Sequence, residues 1–227
     1  MMIDSNHFEI DLQFFGGRGS SSSSGGGGTG GIDASDILGT RSLISEREGN
    51  AALVDETLSV FRDVQNEYGA QVTDIQLATI KPGTPAIAYY DWEGNTAINE
   101  MFFNEITMNA AYKQCVDSGF HPKNGSKTAL QAVVAHELGH KLTADIGTKL
   151  GMDGFGGLDQ AANKVVSEAM ATTKHKSSQS FASKISGYAT HNNAETIAEA
   201  FCDVYCNGKK ARSESKAIVK VIDKYLK

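Results

Sequence analysis

Two histidines and a glutamate are the residues in this sequence best spaced to do chemistry. In TALQAVVAHELGHKL, residues 128–142, His136 and His140 lie four positions apart and Glu137 follows the first of them. On an α-helix this spacing puts both imidazoles on one face, where each can place a nitrogen about 2.0–2.1 Å from one zinc ion. Glu137 is turned away from the pair but can still reach a water at the metal. The H-E-x-x-H spacing therefore predicts a zinc site with Glu137 as general base.

The residues around the motif favour a buried helix over a surface helix with incidental histidines. Asn124, Gly125 and Ser126 supply a turn and an N-cap, and residues 132–135 are small and apolar. Gly139 costs about 1 kcal/mol of helix propensity relative to alanine. We therefore expect a packing or access requirement at this glycine.

A third ligand must come from elsewhere in the chain, because a catalytic zinc site usually has three protein ligands and one water. The H-x-x-G-x-x-H continuation is excluded, since Thr143 and Ile146 occupy the positions where it needs glycine and histidine. A carboxylate from a second helix is the expected partner. The candidates are three glutamates and two less favoured histidines: Glu168, Glu195, Glu199, His175 and His191.

The segment NNAETIAEAFCDVYC, residues 192–206, contains the best-placed pair of acids. Asparagines at its start can cap a helix, and Glu195 and Glu199 then lie one turn apart on the same face. Two such acids repel each other on a solvated helix. The pair is explained if one acid binds the metal and the other accepts the N–H of a ligand histidine. A solvated acidic edge, or Glu168 as the ligand, remains the alternative.

Two blocks of the sequence, 128–142 and 185–206, together resemble a known family. The first contains VVAHELGH, and the second has the pattern Y-x6-E-x3-E-A-F. The letters of that pattern are Tyr188, Glu195, Glu199, Ala200 and Phe201. These motifs resemble the gluzincin metallopeptidases, the group that includes the catalytic domain of anthrax lethal factor and zincin domains of phage and mobile-element proteins.

The resemblance implies a set of metal ligands and a zincin-like α+β fold. His136, His140 and Glu195 would be the zinc ligands, and Glu199 would orient a ligand histidine. The fold would combine a small antiparallel or mixed sheet with an active-site helix and a C-terminal helical part.

The resemblance also implies a reaction, the hydrolysis of a peptide bond by metal-activated water. Glu137 would take the proton of the attacking water and pass it to the leaving amine, and Tyr188 would hydrogen-bond the developing oxyanion. The strand near 96–99 resembles the edge strand of these enzymes. An extended substrate would pair with it as an added strand.

The hydrophobic pattern predicts strands before helices, which is typical of an α+β fold. Helical spacing covers 48–68, alternation covers 71–80, and two short strands at 86–91 and 96–103 form a predicted hairpin. From residue 105 onward the pattern is mostly helical. A final helix is predicted at 213–227.

Glycine composition divides the chain into three parts. Residues 16–31 hold nine of the 24 glycines and five serines, which predicts a flexible linker. The sequence IDLQFFGGRG at 10–19 resembles domain junctions of phage minor-head and related mobile-element polypeptides. This resemblance implies a phage-like leader at 1–15, with a disordered leader as the alternative, and 32–227 is predicted to be a single catalytic domain. A second glycine cluster, at 147–157, is predicted to be a mobile loop beside the cleft.

Charge and cysteine usage limit the surroundings in which the chain would work. The net charge of −6 argues against nucleic acid or acidic membrane as a partner. The sequence has no apolar run of about 18 residues and no signal peptide. Three cysteines make no disulfide scaffold, and Cys202 and Cys206 are predicted to be core residues. We expect a location in the bacterial cytoplasm or on a virion.

The sequence-based hypothesis is a zinc endopeptidase acting on an extended protein or peptide. A catalytically idle structural component of a phage head or mobile element is one alternative. A toxin-type effector protease that cleaves a host protein is the other. In each case residues 1–31 would provide the attachment to a larger partner.

Overall fold

The structure is a computed structural model. It describes residues 36–71, 75–82, 84, 86–91, 95–152 and 156–227. The predicted leader at 1–15 and linker at 16–31 lie outside the described residues. So do the turn at 92–94 and positions 153–155 of the predicted glycine-rich loop.

A four-stranded mixed sheet precedes most of the helices, so the predicted α+β class is confirmed. Its strands are β1 (Ile37–Ser42), β2 (Gln76–Ile80), β3 (Ala88–Tyr90) and β4 (Thr96–Asn99). Their order across the sheet is β1-β2-β4-β3. β2 and β4 run parallel, whereas the β1–β2 and β3–β4 pairs are antiparallel.

The hairpin predicted from the sequence is present, but the expectation that 96–99 forms the sheet edge is wrong. β4 is an inner strand between β2 and β3, and β3 is the terminal strand on that side. β4 also ends at Asn99 instead of reaching 103. The Asn99 side chain accepts a hydrogen bond from Met101 N and caps a 3-10 turn, Glu100–Phe102.

The β1–β2 pair also departs from the sequence-based prediction. Of the predicted strand at 71–80, residues 76–80 form β2, and 72–74 lie outside the described residues. β1 was not predicted, because it is an edge strand with mostly exposed side chains and lacks the alternation that marks a half-buried strand.

Seven helices account for most of the remaining described residues. They are α1 (Arg47–Tyr68), α2 (Glu105–Asp117), α3 (Ala129–Lys149), α4 (Gly157–Ala171), α5 (Ser178–Ala182), α6 (Asn193–Asn207) and α7 (Ser213–Leu226). α1 and α7 match the predicted helices at 48–68 and 213–227 closely. α1 stops at Gly69, whose φ of 68° is left-handed and suits glycine.

α3 runs through the middle of the molecule and carries the H-E-x-x-H motif. Every residue from 132 to 140 is buried, as expected of a helix that is apolar around most of its circumference. Its N-cap is Thr128, in a capping box with Gln131, and not a residue of the predicted turn and cap at 124–126. α3 continues to Lys149, so Gly147 is a buried helical residue and not part of the predicted loop.

The predicted core character of the cysteines is confirmed, since Cys202 and Cys206 are both buried, as is Cys115. Among the described residues, no helix combines the length and apolar character needed to cross a membrane.

Candidate metal centre

Two facing helices, α3 and α6, bring His136, His140 and Glu195 together. The Glu195 Oε2 atom lies 3.1 Å from His136 Nε2 and 3.4 Å from His140 Nε2. Each of the three residues offers one ligand atom, and these atoms lie within 4.8 Å of one another. All three side chains are buried. The group has the composition and spacing of a site that could hold a metal ion.

The close approach of the two helices depends on Gly139. A Cβ built at this position would lie 2.7 Å from Ala198 Cα, a distance that side chains do not reach without a shift of the backbone. Gly139 lies between the two histidines, and Ala198 lies between Glu195 and Glu199 along α6. Gly139, for which the sequence predicts a packing or access requirement, therefore lies where the two helices touch.

The first turn of α6 fixes the position of Glu195. Asn192 is the N-cap, and its side chain accepts a hydrogen bond from Glu195 N at 2.8 Å. The hydroxyl of Thr196 donates to Ala189 O at 2.7 Å, which ties the helix start to the preceding chain.

Glu199, one turn further along α6, accepts three short hydrogen bonds. His136 and His121 donate through their Nδ1 atoms to Oε1, at 2.8 and 2.7 Å. Ser186 Oγ donates to Oε2 at 2.6 Å. Because an ionised carboxylate only accepts, His136 carries its proton on Nδ1, and its Nε2 faces Glu195. This arrangement leaves Nε2 of His136 as the ring nitrogen that could bind a metal ion.

Glu137 is fully buried, and neither of its carboxylate oxygens has a hydrogen-bond partner among the described residues. Burial is the main reason that its pKa is raised from 4.5 to about 8, with Glu195 and Glu199 adding to the effect and His136 opposing it. A buried acceptor without a donor is costly and requires an explanation. A water or substrate atom beside the three ligands would supply the missing partner.

The pKa shifts of three other groups of the centre favour their charged forms, whereas that of Glu137 favours its neutral form. Burial lowers the pKa of His136, but hydrogen bonds to Glu195 and Glu199 outweigh burial and raise this pKa to about 10. Burial raises the pKa of Glu199, but His121 and His136 lower it to about 2. The pKa of Glu195 likewise ends well below its usual range because its interactions with His140 and His136 outweigh burial. Both acids are therefore suited to serve as anions.

Tyr188 lies beside the same group, in a 3-10 turn, Tyr188–Thr190, before α6. Its side chain is hydrogen-bonded to Glu195, and its ring centroid is 5.9 Å from that of His136. Burial is the main cause of a Tyr188 pKa far above the usual range, so its hydroxyl stays protonated as a donor. Backbone hydrogen bonds from Gly187 N to Gly119 O and from Tyr188 N to Phe120 O hold this turn against the loop before α3.

The remaining sequence-based candidates for the third ligand lie outside this group. Glu168 is bound by Lys224 at 2.8 Å and by the Tyr225 hydroxyl. His175 pairs with Glu214 at 2.8 Å. His191 packs on Tyr188, with ring centroids 4.8 Å apart, and is in neither group of potential ligands.

Two aromatic side chains contact the centre without having been predicted to do so. His121 hydrogen-bonds Glu199, as described above, and Tyr90 of β3 stacks on His140 with ring centroids 6.1 Å apart. No sequence signal marks His121, which lies in a loop with no ligand spacing to the motif. Tyr90 could have been suspected only from its place in the predicted hairpin.

His121, His136 and Glu199 form a second group whose atoms are close enough to hold a metal ion. Glu199 Oε1 already accepts hydrogen bonds from both of these histidines. We therefore interpret this group as a hydrogen-bond network that supports the first one.

A surface cavity of about 210 Å³ lies at the N-terminal end of α3, lined in part by Glu56, Met108 and Thr128. It is separate from the three potential metal ligands, whose side chains are buried.

Comparison with known proteins gave no match to a family model, a curated protein or a solved structure. The resemblance to gluzincins therefore rests on the two sequence blocks alone.

Proposed function

We propose that this chain is a zinc-dependent endopeptidase of gluzincin type. The observation that carries the proposal is the buried, unpartnered carboxylate of Glu137 beside His136, His140 and Glu195. Burying such a polar group without a hydrogen-bond partner reduces the stability of the fold. A base that must meet a water and a substrate carbonyl at the metal explains why it is retained.

Zinc fits the available donors. Two imidazole nitrogens and one carboxylate oxygen are a common ligand set for catalytic zinc and leave a fourth position for water or substrate. A zinc ion held by these three side chains would supply Lewis acidity, which polarises a carbonyl and lowers the pKa of a bound water to about 7.

The surrounding residues have separate roles in the proposed reaction. Glu137, whose pKa burial raises to about 8, would in its ionised form accept the proton of the attacking water and return it to the leaving amine. Glu199 keeps His136 in the tautomer that presents Nε2 to the metal. Tyr188 donates its hydroxyl to the oxyanion, exchanging its present bond to Glu195 for that contact.

Strand β3 is the proposed docking edge for an extended substrate. Asn99 N donates to Ile87 O, and Asp91 N donates to Asn95 O. Hydrogen-bonded and non-hydrogen-bonded residues alternate along an antiparallel strand. The backbone N–H and C=O groups of Ala88 and Tyr90 therefore point away from β4. A peptide added on that side would pass His140, on which Tyr90 stacks. Because β3 is buried, binding requires this edge to open first.

The decisive experiment removes the base and retains the metal. Glu137→Gln should bind about one zinc per chain and lose peptidase activity by a factor of about 100 or more, the usual contribution of general-base catalysis. Cleavage of a random peptide library, read by mass spectrometry, measures the activity and reports the unknown specificity. Glu168→Gln is the matched control, because Glu168 pairs with Lys224 outside the centre and should keep parental activity. Peptide cleavage by zinc-loaded Glu137→Gln protein at the parental rate would contradict the proposal.

The two alternatives make different predictions. A structural component would be expected to close the fourth metal position with a protein ligand, and the described group offers three. An effector protease would share the chemistry and differ in its substrate. Zinc content near one per chain, together with loss of cleavage in chelator, separates either enzyme from the structural protein.

A further inference from the structure

His121 is the buried histidine nearest the proposed zinc ligands that the mechanism above does not use. Its side chain is about 2% exposed, and its Nδ1 lies 2.7 Å from Glu199 Oε1. That same oxygen accepts the Nδ1–H of His136 at 2.8 Å. One carboxylate oxygen therefore joins a proposed ligand to a histidine from a different part of the chain, 78 positions before Glu199.

His121 is itself held on several sides. Its backbone N–H donates to Cys115 O, at the end of α2. Its ring stacks on Tyr112, with the planes inclined by only 5° and the centroids 5.8 Å apart. The adjacent residues Gly119 and Phe120 accept the backbone hydrogen bonds of Gly187 and Tyr188. The imidazole is thus a fixed donor, oriented by packing before it meets Glu199.

A fixed second donor has a specific effect on Glu199. A carboxylate that met only His136 and Ser186 could rotate about its terminal bond and present either oxygen to the ligand histidine. With His121 also bound to Oε1, that oxygen is held between the two rings, and Oε2 is left to Ser186. The hydrogen bond between Glu199 and His136 is then held in one geometry, and this fixes the direction in which Nε2 of His136 points.

We infer that His121 is a positioning residue for the metal centre, acting through Glu199 to fix the tautomer and orientation of His136. The inference rests on the proposed function, because it assumes that His136 binds the metal. In this scheme His121 is not itself a metal ligand. Its role is to orient Glu199, so removing the hydrogen bond between them should weaken metal binding by His136.

The test compares two substitutions that differ in one donor. His121→Phe keeps a ring against Tyr112 and removes the hydrogen bond, whereas His121→Asn can place an amide N–H close to the position of Nδ1. Outer-sphere partners of a ligand histidine usually contribute about 10–100-fold to metal affinity. We expect His121→Phe to bind zinc at least about 10-fold more weakly in chelator competition, and His121→Asn to recover most of the loss.

A spectroscopic readout distinguishes positioning from simple destabilisation. The visible spectrum of the cobalt-substituted protein reports ligand geometry, and it should change in His121→Phe and return towards that of the parent in His121→Asn. Tyr112→Phe is the control, since it removes a different buried hydrogen bond, to Pro122 O at 2.9 Å, and keeps the ring on His121. Its zinc affinity and cobalt spectrum should match those of the parent.

The outcomes separate this inference from the proposed function. A parent protein that binds no zinc overturns both. A parent that binds zinc while His121→Phe binds it equally well overturns only the role of His121, as does equal weakening in the Phe and Asn variants. If His121→Phe does not fold, nitrogen-15 NMR of the zinc-loaded parent gives the answer. His121 and His136 should both carry their protons on Nδ1, and an Nε2–H tautomer at either ring contradicts the inference.

Discussion

Three acids and three histidines share one buried cluster, and the balance of their charges depends on what occupies it. Glu137, Glu195 and Glu199 are all fully or almost fully buried. Without a metal, the raised pKa of His136 means that this ring carries a second proton, on Nε2, at neutral pH, and its positive charge offsets part of the negative charge. Zinc requires the unprotonated nitrogen, so binding should release a proton and replace it with a divalent cation.

Tyr188→Phe should separate catalysis from metal binding. The hydroxyl is expected to stabilise charge that develops in the transition state, and loss of one such donor costs about 100–1,000-fold in kcat. Zinc affinity should change much less, because the three ligands remain. Tyr205→Phe, which loses a hydroxyl bonded to Asp63 away from the centre, is the control and should keep parental kcat. An unchanged kcat in Tyr188→Phe would remove this residue from the mechanism.

The α3–α6 crossing is the element-level feature on which the centre depends. His136 and His140 belong to one helix, Glu195 and Glu199 to the other, and Gly139 and Ala198 lie at the contact between them. The spacing of the helices therefore sets the distance between the imidazoles and the acids. Any change that separates the helices should weaken packing and metal affinity together.

Gly139→Ala tests this dependence directly. The added methyl group would approach Ala198 Cα to 2.7 Å, so α6 must shift, and we expect a loss of about 1–3 kcal/mol of stability. Zinc affinity should fall in parallel. Gly49→Ala in α1 is the matched control, since nothing lies within 4 Å of its added Cβ. Because Gly49 lies beside Asn50, whose φ of −135° marks a kink in α1, that variant should change stability by less than about 1 kcal/mol and leave zinc affinity unchanged. Thermal melts with and without zinc measure both effects, and a Gly139→Ala protein that binds zinc normally would contradict the argument.

Sequence reasoning was most informative where a helical period carried the chemistry. It identified the spacing of His136 and His140 and the paired acids of α6, because a fixed rise per residue makes side-chain positions predictable. β1 was not predicted because its side chains are mostly exposed, and the inner position of β4 was not predicted because strand order depends on long-range pairing. His121 was missed for the same reason: its partner Glu199 is distant in sequence, and only the packing of the loop before α3 brings the two together.

At the scale of the whole molecule, the buried centre makes folding stability depend on pH. Glu137 contributes to this pH dependence because burial in the folded protein raises its pKa from 4.5 to about 8. A group whose pKa is raised by folding favours the folded state below its unfolded pKa. That contribution is lost as pH increases through the folded value. His136, with its pKa raised from 6.5 to about 10, acts in the same direction at higher pH.

The metal-free protein should therefore lose thermal stability as pH rises from about 5 to about 9. Glu137→Gln removes one of the two titrating groups, so the decrease in Tm with pH should become shallower, mainly below about pH 8. Glu168→Gln serves again as control, because the pKa of Glu168 is lowered to about 2 and does not titrate in this range. Tm measured in chelator across the range provides the comparison. An equally steep decline in Glu137→Gln and the parent would contradict the assignment.

The long chain separation between the two halves of the centre has a consequence for biosynthesis. His136 and Glu199 are 63 positions apart, and α4 and α5 are made between them. As the chain leaves the ribosome, the two histidines of α3 emerge long before the acids that complete and orient the site. A nascent or truncated polypeptide ending before α6 would hold only two of the three ligands. If the chain is the peptidase proposed here, its activity would begin only after α6 has been made and has docked, which would protect the producing cell from its unfinished copies.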